Sequence, residues 1–164
     1  VDDVDEADVA EATKAVEVEV PDATPEMVEK VSKLAAVSGL SAGAVAKLDQ
    51  ADVDKASALL AACATPEGRA ELSASTGIDE DTLLTAAKKI DLMRVKGVGA
   101  KYAELLLASG VDTVPELATR NPENLAKKMA EINAKEQIVD HSPSAETVAS
   151  WVGQAKDMPR MIYY

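Results

Sequence analysis

The 164-residue chain has no phenylalanine, one tryptophan, three tyrosines, one cysteine and one histidine. A single cysteine excludes an intrachain disulfide and leaves the redox compartment open. With Cys63 and His141 alone of their kinds, the His/Cys ligand sets of metal centres are missing. The acids at Asp79-Glu80-Asp81 and Asp2-Asp3-Asp5-Glu6-Asp8 read as helix-start and solvated charge. No metal or cofactor is therefore expected. Nucleophilic catalysis by Cys63 would need a paired histidine, and His141 sits in proline-containing loop sequence, so Cys63 reads as a helix-interface residue and no enzyme is expected. No apolar run approaches the roughly 18 residues that cross a bilayer, so the chain reads as soluble, without a span of its own.

What is present is alanine, valine and leucine in a chain that is 47% hydrophobic. Such a composition, with little β-branched alternation, predicts an all-α protein of short, closely packed helices. The formal net charge is -12, and it is unevenly placed. Residues 1–30 hold eleven acids against Lys14 and Lys30, whereas residues 86–164 hold ten acids against eleven bases. A nucleic-acid binder usually carries a basic field, and this chain shows only a local one.

That local field surrounds Met93-Arg94-Val95-Lys96-Gly97-Val98-Gly99-Ala100-Lys101-Tyr102. Leu83, Leu84, Ala87, Ile90 and Met93 precede it at helical spacing, and Tyr102, Ala103, Leu105 and Leu106 resume the period after it. The stretch reads helix, two-glycine turn, helix. Glycines suit positive φ or a close backbone approach, and Val98 between them is an apolar plug. The first N–H groups of the second helix have no intrahelical partner, which makes a phosphate the natural ligand of such a turn. Arg94, Lys96, Gly97, Val98, Gly99 and Lys101 are the candidate phosphate-binding set. The plainer reading is a connector between antiparallel helices with solvated lysines. A P-loop is excluded because no Gly-Lys-Ser/Thr ends the run, and a dinucleotide fingerprint because Tyr102 stands where its third glycine belongs.

Along the chain, residues 1–23 form an acidic arm ending in Val16-Glu17-Val18-Glu19-Val20, which alternates like a strand. It reads either as an extended arm docked on the domain or a partner, or as a solvated tail. Thr24-Pro25-Glu26 opens a helix through Met27, Val28, Val31 and Leu34, and Ser38-Gly39-Leu40-Ser41 turns into another beginning at Ala42. A further helix is expected from Ala51 or Asp52, and Thr65-Pro66-Glu67 starts the next. Sliding the chain by fifty-eight residues sets Gly39-Leu40-Ser41 on Gly97-Val98-Gly99, Leu48 on Leu106, Val53-Asp54 on Val111-Asp112 and Leu59 on Leu117. The expected organisation is a first, degenerate repeat at 24–78, a second at 79–137, and a C-terminal helix with a hydrophobic tail at 138–164, packed as one compact domain. Trp151 reads as core. Met161, Ile162, Tyr163 and Tyr164 either fold back or anchor a partner.

The glycine turn resembles the helix-hairpin-helix motif. The ordered segments TPEGR, TGID, DLMRVKGVG, SGVDTVPELATRNPENL and WVGQAK resemble a family of small bacterial and algal proteins catalogued as a domain of unknown function with tandem helix-hairpin-helix units. That resemblance implies an all-helical double-hairpin fold and brings no activity with it. The functional expectation is a non-catalytic structural or interaction subunit that docks on a larger protein assembly. The alternative is sequence-independent binding of a nucleic-acid backbone at Lys96-Gly97-Val98-Gly99. The chain starts at Val1 rather than methionine, and removal of a targeting peptide, with an organellar or exported location, is one expectation this raises.

Overall fold

The computed structural model describes residues 33–164, and every regular element among them is helical. The acidic arm of residues 1–23 and the start of the helix expected from Thr24 lie outside the described residues. After helical residues 33–38 come α1 (Ala42–Gln50), α2 (Ala56–Ala62), α3 (Pro66–Thr76), α4 (Glu80–Leu92), α5 (Ala100–Ala108), α6 (Val114–Ala118), α7 (Pro122–Glu136) and α8 (Ala145–Lys156).

Local chemistry explains most of the helix starts. Ser41 Oγ accepts from the Ala44 N–H at 3.1 Å, Thr65 Oγ1 from Gly68, Asn121 Oδ1 from Asn124 and Ser144 Oγ from Thr147, each satisfying one orphan donor of a first turn. Pro66 and Pro122 follow two of these caps, where a missing N–H costs nothing. At α6 the Glu116 carboxylate reaches back to accept from the Asp112 and Thr113 N–H groups.

Two helix ends close alike. Asp52 (φ 67°) and Gly110 (φ 92°) both turn left-handed, and the next residue's N–H donates back into the helix, Val53 to Leu48 at 2.8 Å and Val111 to Leu106 at 3.0 Å. This overturns the expectation that a helix begins at Ala51 or Asp52. Asp52 terminates α1, and α2 begins only at Ala56.

By internal contacts the chain divides into two compact units, one running through Ala87 and taking in Tyr163–Tyr164, the other from Lys88 to Ile162. The division falls inside α4. In the first unit, α3 packs on α1 and α2 over buried Leu48, Leu59, Leu60 and Leu72. Gly68 is required there because a Cβ would run into the Ala62 carbonyl oxygen. The neighbouring Arg69, itself buried, donates to the Cys63 carbonyl at 2.9 Å and so caps the C-terminal end of α2.

In the second unit, α8 packs on α6 and α7, and α7 on α5. Their core holds Val95, Val98, Leu105, Leu106, Leu117, Met129, Val148 and Trp151, the tryptophan only 2% exposed, as expected of a core residue. No described helix is long and apolar enough to cross a membrane.

Candidate functional site

The turn between α4 and α5 is built from successive short backbone bonds. The Arg94 N–H donates to Asp91, Val95 to Leu92 and Val98 to Val95, so the chain leaves α4 in tight steps while Val95 and Val98 point into the core. Gly97 has φ 99°, a conformation that favours glycine, and the Trp151 indole nitrogen lies 3.1 Å from where a Cβ would stand. Gly99 differs. Its backbone is extended (φ -91°, ψ -174°) and a Cβ there would meet nothing within 4 Å. Of the two glycines expected to serve the turn, only Gly97 is demanded by geometry. Gly99 instead leaves α5 without a side-chain cap, although Ala103 still donates to its carbonyl at 2.8 Å.

Of the expected phosphate set, Arg94 and Lys101 have side-chain partners within the chain, whereas Lys96 is held by its peptide. Arg94 Nε and Nη2 both lie 2.8 Å from Asp91 Oδ1, and Nη2 also donates to the Pro159 carbonyl at 2.9 Å. Asp91 is fully buried and accepts a third bond, through Oδ2, from the Val114 N–H at 2.9 Å. A carboxylate without water needs such pairing, which makes Arg94 a structural partner of Asp91. Lys96 is exposed, but its peptide is gripped twice by Gln154 on α8: its N–H donates to Oε1 at 2.9 Å, and Nε2 donates to its carbonyl at 3.1 Å. Lys101 Nζ sits 3.7 Å from Glu104 Oε1 and is 74% exposed, a contact worth little in water. Nearby Lys88 reaches Asp112 Oδ2 at 3.4 Å. Burial depresses the Lys89 ammonium pKa, with Glu104 opposing the shift and Lys101 adding to it.

Beside the start of α5 lies a cleft of about 690 Å³, walled by Gly99–Tyr102 on one side and Ile138–His141 on the other. Tyr102 stacks obliquely on Trp151, with ring centroids 5.3 Å apart, and its hydroxyl donates to the His141 carbonyl at 3.3 Å. The opposite wall is held by Asn133, whose carboxamide accepts from the Val139 N–H at 2.9 Å and donates to the Val139 carbonyl at 3.0 Å.

Sequence reasoning missed Gln154, Asn133 and Asp91. The spacing of Asp91 and Arg94, three apart at a helix end, was the one available signal. The expected tail set divides: Ile162 is buried and Met161 half-buried, while Tyr163 and Tyr164 are 52% and 62% exposed. The Tyr163 N–H donates to the Ala64 carbonyl at 2.7 Å. Cys63 is fully buried, and desolvation pushes its thiol pKa up to about 11 against the opposing field of Arg69, so it is a thiol at neutral pH. Among the described residues, no three His, Cys, Asp or Glu side chains gather as metal ligands.

Residues 38–158 match a family described as Domain of unknown function (DUF4332). No curated protein and no solved structure matches the chain.

Proposed function

The chain belongs to the DUF4332 family, and from that premise we propose that it is a non-catalytic docking module, two tandem helix-hairpin-helix units that attach as a subunit to a larger protein assembly. One observation carries this reading. The glycine turn best suited to an external phosphate is tied to its own chain, through Gln154 on the Lys96 peptide and through Arg94 on Asp91 and Pro159. The tandem arrangement draws support from the matching closures of α1 and α5 and from Gly39 and Gly97, fifty-eight positions apart and both at positive φ. The cleft walled by Tyr102, Ile138 and Val139 is the docking face on this reading, with Tyr163 and Tyr164 as a further contact.

The test is purification of the tagged chain from its source, with and without nuclease, alongside a Val139→Arg variant. A stoichiometric protein partner that survives nuclease and is lost from the variant is expected. Recovery of nucleic acid alone, or a partner released by nuclease, would sink the proposal.

A second reading, contact with a nucleic-acid backbone at Lys96-Gly97-Val98-Gly99, is favoured by the lack of a side-chain cap on α5 next to exposed Lys96 and Lys101. It requires duplex affinity that falls steeply with salt and falls further in Lys96→Glu.

A further inference from the structure

The first unit carries a second cavity, a groove of about 570 Å³ remote in sequence from the glycine turn of the second. Its apolar surface comes from Leu34, Ala36 and Val37 at the end of the first described helix and from Ala56 at the start of α2. Lys33 and Lys55 border it, both exposed, and neither forms an ion pair with another described residue. Asp54 borders it too, so among the described lining residues two lysines stand beside one carboxylate.

The geometry points to an occupant within this chain: Val16-Glu17-Val18-Glu19-Val20, which lies outside the described residues. In an extended segment alternate side chains face opposite ways, so Val16, Val18 and Val20 form one apolar edge and Glu17 and Glu19 the other. That pattern is complementary to an apolar floor bordered by lysines. The valines take the place of water over Leu34, Val37 and Ala56, and the glutamates remain at the mouth, within reach of Lys33 and Lys55. The connection is long enough. Twelve residues lie between Val20 and Lys33, and with the helix expected from Thr24 running through them they still span up to about 27 Å. The segment also supplies what a groove lysine lacks among the described residues, a carboxylate partner. The acidic arm is in this way a component of the first unit.

Zero-length carbodiimide coupling of the full-length protein, read by mass spectrometry, tests the assignment because it joins only carboxylates and amines already in contact. Glu17 or Glu19 should couple to Lys33 and Lys55 at least about fivefold more than Glu6 or Glu11 does, at a yield independent of protein concentration, as an intramolecular contact demands. The triple variant Val16→Ser/Val18→Ser/Val20→Ser should lose that excess while keeping the parent's helical circular dichroism. Equal coupling across the arm would overturn the assignment, as would an excess that persists in the serine variant. Coupling that rises with concentration would place the arm of a second copy in the groove and overturn the intramolecular assignment.

Discussion

The Gly39 and Gly97 turns share a positive φ at the glycine and differ in what holds them. Around Gly39 the bonds are local: Ser38 Oγ donates to the Leu34 carbonyl at 2.6 Å and accepts from Leu40, and Ser41 caps α1. Around Gly97 the corresponding positions are Lys96 and Gly99, which offer no such side-chain oxygen, and beyond its local backbone bonds the turn is held by Gln154 and the Pro159 carbonyl, more than fifty residues on in sequence. A turn closed by its neighbours is set by a few residues. One closed by a distant helix depends on the whole unit being folded, and it keeps an uncapped helix start beside a cleft.

Removing Asp91 should test that dependence most severely. Asp91→Ala strips Arg94 and the Val114 N–H of a buried partner, and denaturant unfolding should show a loss of about 3–5 kcal/mol. A loss below 1 kcal/mol would mean that the carboxylate does not hold the second turn together. Next comes the inequality of the two glycines. Gly97→Ala, at φ 99° and against Trp151, should cost about 1–3 kcal/mol, whereas Gly99→Ala should change stability by less than about 0.5 kcal/mol in either direction. Equal effects would erase the distinction drawn between them.

The two helix starts can also be exchanged. Ser41→Ala should destabilise by about 1 kcal/mol, and Gly99→Ser, which introduces the missing cap, should stabilise by a few tenths of a kcal/mol, both read as shifts in the urea midpoint. Last comes the pH dependence that Cys63 adds, which is flat at neutral pH and shows only in alkali. Its folded pKa of about 11 exceeds the ordinary thiol value of 9.0, so the folded state holds the proton longer. The associated stability is complete below pH 9 and is lost as the pH rises toward 11. Cys63→Ala should remove that alkaline decline from the unfolding profile, and a decline of unchanged size in the variant would assign it to other groups.

Much of the framework was legible because its causes act within a turn of helix. Thr65-Pro66, Asn121-Pro122 and Ser144 announce helix starts through one side-chain oxygen and one N–H, and Ala, Val and Leu at helical spacing mark the faces that Leu59, Leu106 and Trp151 bury. Asp52 was misread because an aspartate suits both a helix start and a left-handed end, and only the Val53 to Leu48 bond decides between them. The candidate site was half legible. Lys96, Gly97 and Lys101 stand on the surface of the turn as expected, but nothing near Arg94 in sequence tells that its guanidinium reaches Pro159.

The sequence by itself determined the all-helical class, the caps, the glycine at the left-handed position and the family to which residues 38–158 belong. Tertiary structure alone decided that Asp91 is buried, that Gln154 takes the Lys96 peptide and that Tyr102 and Asn133 hold the two walls of a cleft. The physical reason is range. Dihedral preference and capping are settled between residues a few positions apart, whereas the partner of a carboxamide or a buried carboxylate is whatever the packing of distant helices brings within 3 Å.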